Sequence, residues 1–118
     1  MHNKLFIMIL SLVAVIFPKS DNGIYLIDQG ATFNYHKGTK EPSSPHSAWT
    51  AIDFDDSSWL RGKIPFFSNE KITDGSELID MKGKYSTVYV RRKFHITDPS
   101  QLGSLSLEIK ADDGYVAW

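Results

Sequence analysis

The segment Ser104–Ala111 constrains this chain more than any other. Leu105, Leu107, Ile109 and Ala111 fall on one side of an extended backbone, and Ser104, Ser106, Glu108 and Lys110 on the other. A period of two is the mark of a strand with one buried face. No comparable segment after Ser20 repeats at the helical period of 3.6. With 118 residues the chain suits one domain, since most run ~100–150 residues. It is short of the roughly 250 residues of a β/α barrel. The class this predicts is all-β.

Other segments agree. Ser86–Ile96 places Val88, Val90, Phe94 and Ile96 on one face, interrupted by Arg92, and Thr87, Tyr89, Arg91, Lys93 and His95 on the other. Thr32–His36 alternates as well, with Phe33 and Tyr35 opposed to Thr32, Asn34 and His36. Ile24–Asp28 is a short apolar strand candidate. Lys37–Ser47, with its prolines and serines, reads as a mobile loop. Trp49–Trp59 carries apolar anchors around an acidic turn, Asp55-Asp56-Ser57-Ser58, whose side chains suit local backbone bonds. Arg61–Phe67 contains Pro65, which fits a sheet edge or bulge. Ser68–Tyr85 has Leu78, Ile79 and Met81 as footholds. Asp98 opens a turn, and Asp112-Asp113-Gly114 signals a hairpin leading into a strand from Tyr115. That strand stops at Trp118, so the expected domain is truncated in mid-sheet. We expect Trp59 and Phe94 to share one core with Leu105, Leu107 and Ile109.

The N-terminus reads differently. Leu5–Phe17 is an apolar run of 13 residues behind Lys4. A membrane-spanning helix needs ~20, whereas the hydrophobic region of a secretory signal has ~7–15. The run predicts a signal-peptide helix within residues 1–20, ended by Pro18 and cut near Ser20. The domain would then occupy 21–118, in a secreted or cell-surface protein with no stable membrane span. A core helix or a membrane anchor is the alternative. The chain has no cysteine, which excludes disulfides, thiol catalysis and Cys-ligated metals. A net charge of −1 argues against nucleic acid as a partner.

Three segments carry a resemblance. Phe54–Trp59 (FDDSSW), Tyr85–Phe94 (YSTVYVRRKF) and Ala111–Trp118 (ADDGYVAW) resemble, in order, landmarks of galactose-binding-like domains in secreted or surface bacterial multidomain proteins. Gly30–Tyr35 resembles the opening of that pattern. The chain spans about the first three quarters of it and lacks the Asn-Gly turn and closing strands. The resemblance implies an antiparallel β-sandwich of jelly-roll type, carbohydrate as ligand, further domains downstream as partners, and calcium in some members. The acidic-Ser-Trp turn also resembles the sugar-binding sandwich ahead of the catalytic barrel in some β-galactosidase-like enzymes.

The chemistry-bearing residues follow. Trp49 and Trp59 offer flat faces for a pyranose, or packing beneath the acidic turn. Tyr89 and Arg91 share a strand face and suit sugar hydroxyls or a carboxylate. The charges of Arg91, Arg92 and Lys93 equally suit a guarded strand edge. The pairs Asp55-Asp56 and Asp112-Asp113 are oxygen donors; the second is the candidate calcium site, and turn capping is the alternative. His2, His36, His46 and His95 show no metal-ligand spacing, and no G-x-S-x-G, H-E-x-x-H or phosphate loop occurs. No catalytic residue is assigned. The expected function is a non-catalytic carbohydrate-binding or accessory module. The alternatives are the leading sandwich of a glycoside hydrolase and a structural spacer.

Overall fold

The computed structural model describes residues 11–18, 24–111 and 114–118. Its strands are β1 (Ser11–Pro18), β2 (Ile24–Ile27), β3 (Thr32–Lys37), β4 (Leu60–Lys63), β5 (Phe66–Phe67), β6 (Ser76–Glu77), β7 (Val88–Arg91) and β8 (Leu102–Lys110). Short 3-10 turns cover His46–Thr50 and Pro99–Gln101. Among the described residues no helix reaches seven residues, which agrees with an all-β chain.

The strands form two antiparallel sheets of three, ordered β2-β1-β8 and β4-β3-β7, and a parallel pair, β5-β6. β1 corrects the expected helix. Ser11–Pro18 is extended, and runs antiparallel to β8 from Ser11↔Lys110 to Pro18↔Leu102. Val13, Val15 and Ile16 are β-branched, which favours strand over helix once neighbours can satisfy the backbone. β7 is shorter than the Ser86–Ile96 strand expected from its alternation: its ladder to β3 runs only from Lys37↔Val88 to Asn34↔Arg91, although β3 itself continues to Thr32. Gly114–Trp118 is not a strand, and Asp112 and Asp113 of the expected hairpin lie outside the described residues.

The core gathers Ile27, Phe33, Ile64, Phe66, Leu78, Met81, Tyr85 and Val88. Of the expected footholds in Ser68–Tyr85, Leu78 and Met81 are buried, whereas Ile79 is exposed. The segment is folded in by β5 and β6. The amide of Ser76 donates to Pro65 O (2.8 Å) and that of Leu78 to Phe67 O (2.7 Å). Gly75 has φ +124°, and a Cβ there would stand 2.3 Å from Pro65 O, so only glycine closes this turn. Lys37 on β3 pins the next turn by donating to Asp80 (2.8 Å), which also accepts from Tyr85 Oη (2.7 Å).

The expected core of Trp59, Phe94, Leu105, Leu107 and Ile109 does not form. Phe94, Leu105 and Leu107 are 45%, 51% and 49% exposed. They line a cleft of about 630 Å³ with Ile27 of β2 and with Phe33 and Val90 of β3 and β7. Arg92, the interruption on this face, spans its edge. Its Nη1 donates to Thr32 O (2.6 Å) and its guanidinium lies 5.9 Å from the Phe33 ring centre. The alternation therefore gives the correct sides, but the apolar side of β8, and Phe94 beyond the end of β7, meet an open space.

Two outcomes follow from this packing. Phe33→Ala should cost ~3–5 kcal/mol in chemical denaturation, the usual range for a buried aromatic. Phe94→Ala, which gives up a half-exposed ring, should cost only about 1–2 kcal/mol. Equal costs would place Phe94 in the core after all.

Stability should also fall at both ends of the pH scale. The Lys37 ammonium, and after it the Tyr85 hydroxyl, hold the Asp80 carboxyl below its ordinary 3.8. A lowered folded value stabilises above the ordinary value and is lost as pH falls below it. Burial, and after it the bond to Asp80, pushes the Tyr85 phenol above its ordinary 10.0. That contribution is present below 10.0 and is lost as pH rises past it. Urea unfolding against pH should show a shallower acid limb for Asp80→Asn than for the unmodified chain. Superposable limbs would remove the Lys37–Asp80 pair from this account.

Candidate functional site

The side of β3 and β7 away from the core is built by their register. His36 stands opposite Tyr89, and Asn34 opposite Arg91. Alternation along each strand sends these four side chains to one face, while Phe33, Tyr35, Val88 and Val90 serve the core.

Arg91 and Asp56 organise this face. Their side chains are 10% and 16% exposed, with Arg91 Nε donating to Asp56 Oδ2 at 2.8 Å. The other Asp56 oxygen accepts from Asn34 Nδ2 at 3.0 Å. Arg91 Nη1 donates to the carbonyls of Trp49 and Ala51, and the guanidinium lies 5.1 Å from the Phe54 ring centre. One cation thus joins β7, the 46–50 turn and the acidic turn. Within that turn Asp55 accepts from the Ser57 amide at 3.0 Å. The Ser57 side chain, and after it this amide, lowers the Asp55 carboxyl below the usual range. Both acidic-turn carboxylates are therefore engaged within the chain.

Trp49, Tyr89 and Arg91 do come together. Trp49 is buried at 7% exposure, with Tyr89 edge-on at 5.2 Å and Trp59 at 6.2 Å. Trp118 also packs edge-on against it at 4.9 Å. The Trp49 ring is thus a floor rather than an open platform, and the Arg91 donors face the protein. Tyr89 is half-buried, and burial followed by the Glu41 charge raises its phenol. His36 and His46 flank Tyr89, each with ring centres 6.1 Å away. Half-buried Trp59 continues the tier from His36 at 5.4 Å.

The loop over this face is tied down, in contrast to the mobile loop expected over Lys37–Ser47. Pro42 is buried. The Ser43 hydroxyl reaches the carbonyls of Pro45 and His46 (2.7 and 2.8 Å) and accepts from the Trp49 amide (3.0 Å). His46 meets Glu41, and His36 Nε2 lies 3.2 Å from Lys40 O. The sequence reading passed over His36, His46 and Glu41 because histidines and loop acids carry no spacing signal of their own. The alternation of Thr32–His36 put His36 on the polar face, but only the β3–β7 register sets it beside Tyr89.

This face offers ring edges and faces, two imidazoles, a phenol and a carboxylate. Such a set suits a ligand with both C–H surfaces and hydroxyls. Asp112 and Asp113, the calcium candidates, lie outside the described residues. Among the described residues no three metal-ligating side chains converge, and no helix is long and apolar enough to cross a membrane. No protein-family model, curated protein or solved structure matches this chain.

The Arg91–Asp56 pair sets a clear expectation. Arg91→Lys keeps the charge but loses the planar fork that reaches three acceptors at once. Mostly buried acceptors would be left short of donors, at a cost of about 2–3 kcal/mol in chemical denaturation. A cost below ~0.5 kcal/mol, typical of an exposed pair, would mean that the pair does not hold this face together.

Proposed function

We propose that this chain is a non-catalytic carbohydrate-binding or accessory module of a secreted multidomain protein. Its ligand surface is the outer face of β3 and β7 around Tyr89. The observation that carries this reading is the tier His46–Tyr89–His36–Trp59 above the buried Trp49 floor. His36, Tyr89 and Trp59 are half-buried; rings fixed by packing lose little freedom on binding, and the imidazoles and phenol supply directional bonds to hydroxyls. The engagement of Asp55 and Asp56 as turn ties supports a binding role over carboxylate chemistry, because glycoside hydrolysis needs two carboxyls facing one bond.

The fold in this reading is a sandwich of the galactose-binding-like kind. Its support is the pair of three-stranded antiparallel sheets whose apolar sides line one cleft. The supports for export are the apolar run Leu5–Phe17 behind Lys4 and the absence of cysteine, which lets the domain fold in an oxidising compartment without pairing constraints. The ligand face lies on the β4-β3-β7 sheet, so the binding reading holds whether Ser11–Pro18 stays as β1 or leaves with a leader.

The test is a glycan array followed by titration. Retention of one glycan class, with affinity reduced about ten-fold or more by Tyr89→Ala, equivalent to ~1.4 kcal/mol, is the expected result. No reproducible retention would remove the carbohydrate reading. A reporter fused after Ser20 should leave the cytoplasm, and its retention there would remove the secretion reading.

A further inference from the structure

The outer face of the β4-β3-β7 sheet continues past the aromatic tier onto β4. Asn34 stands opposite Arg61 on β4 and Arg91 on β7, so one row across the three strands reads Arg61, Asn34, Arg91. The adjoining row is Trp59, His36, Tyr89, with the Trp59 and His36 rings 5.4 Å apart. Two residues along a strand span ~6.5–7 Å and return to the same side, which places Arg61 beside Trp59. The cations that β4 and β7 give this face are not equivalent. Arg91 is engaged by Asp56 and by the carbonyls of Trp49 and Ala51. Lys63 is held by Asp74 at 2.8 Å. Arg61 is exposed, and among the described residues it pairs with no carboxylate. Asp56, whose side chain reaches the same row, gives one oxygen to Arg91 and the other to Asn34. Glu41, at the other end of the tier, meets His46.

Resting on the carbohydrate reading above, we propose that the ligand is an anionic glycan and that Arg61 holds its oxyanion, a carboxylate or a sulfate. A neutral sugar makes no use of a full positive charge beside the rings. The planar guanidinium fork matches two oxygens of an oxyanion at once. The exocyclic carboxylate of a hexuronate, or a sulfate on the same carbon, projects from the rim of the pyranose. A ring seated on Trp59 therefore directs that group sideways, along β4 towards Arg61, while its C–H face stays on the aromatic row. Charge on an edge strand also discourages unwanted strand pairing, but Lys63 on β4 supplies that already, and such a guard needs no guanidinium next to a tryptophan. The whole site stands on β3, β4 and β7, so it does not depend on Ser11–Pro18 or on the chain after Lys110.

The test is an array of matched oligosaccharides, each presented as the hexose, the hexuronate, the hexuronate methyl ester and the 6-sulfated hexose. The full chain is applied, and the oligomers retained are then titrated. The expected result is an affinity for a charged member about ten-fold above that for the matched hexose and methyl ester, equivalent to ~1.4 kcal/mol. Preference for the hexuronate assigns a carboxylate to Arg61, and preference for the sulfated hexose assigns a sulfate. Arg61→Gln should bring the charged and neutral members within about two-fold of each other and leave the neutral affinities in place. Arg61→Lys, which keeps the charge and loses the fork, should retain part of the preference. Both variants should melt with the unmodified chain, because the side chain is exposed. Equal affinity for charged and neutral members, or a preference that survives Arg61→Gln, would overturn the anion assignment and leave the carbohydrate reading standing. Retention of no oligosaccharide would remove both.

Discussion

The Arg91 guanidinium is the contact on which the outer face of this domain depends. It is mostly buried, and burial of a cation is costly unless each donor finds an acceptor. Asp56 and the carbonyls of Trp49 and Ala51 meet that demand. Satisfying it forces three segments that are distant in sequence to converge. The acidic turn is drawn onto β7, the 46–50 turn is drawn over the sheet, and Trp49 is carried beneath Tyr89. The placement of the Trp49 floor follows from one charge that could not be left unpaired, and the β3–β7 register adds His36 and Tyr89 above it.

The opposite face follows a different rule. There the chain relies on apolar burial, and it is incomplete on the side of β8. Ile27 and Phe33 are buried at 2% exposure, whereas Leu105 and Leu107 remain about half exposed although they alternate as cleanly as any residues in the chain. A strand's pattern sets which face is apolar. Burial needs a second surface at a distance of about 10 Å, the usual spacing of packed sheets. The cleft marks where that surface is only partly supplied.

The two faces divide the labour. The outer face of β3 and β7 is polar-aromatic, held by hydrogen bonds and an ion pair, and suited to a hydroxyl-rich ligand. The inner faces are apolar and hold the core. The two sets of side chains sit on alternate positions of the same strands, and they meet where Trp49 and Arg91 also border the cleft of Leu105 and Leu107. Val88 and Val90 serve the core while Tyr89 and Arg91, their immediate neighbours, serve the outer face.

Local pattern determined much of this. The period-two alternations of Thr32–His36 and Ser104–Ala111 fixed the strand character and the sidedness of β3 and β8, because the pleat of an extended chain admits only that choice. The acidic-Ser turn and the turn at Asp98 were legible because their side chains bond within two residues, where sequence distance and spatial distance agree. Tertiary structure decided the rest. Leu5–Phe17 read as a helix from hydropathy alone, yet Ser11–Pro18 is paired as β1, because strand edges from β2 and β8 offer its backbone partners that no local rule could supply. Alternation alone offers Tyr89 and Arg91 equally as ligand groups or as a charged strand edge. The register Asn34↔Arg91 and the approach of Asp56, 35 residues away, turned Arg91 inward and left Tyr89 with His36 and His46 as the outer face. Strand pattern acts over neighbouring residues; charge satisfaction and strand register act over the folded chain, and only folding brings their partners within reach.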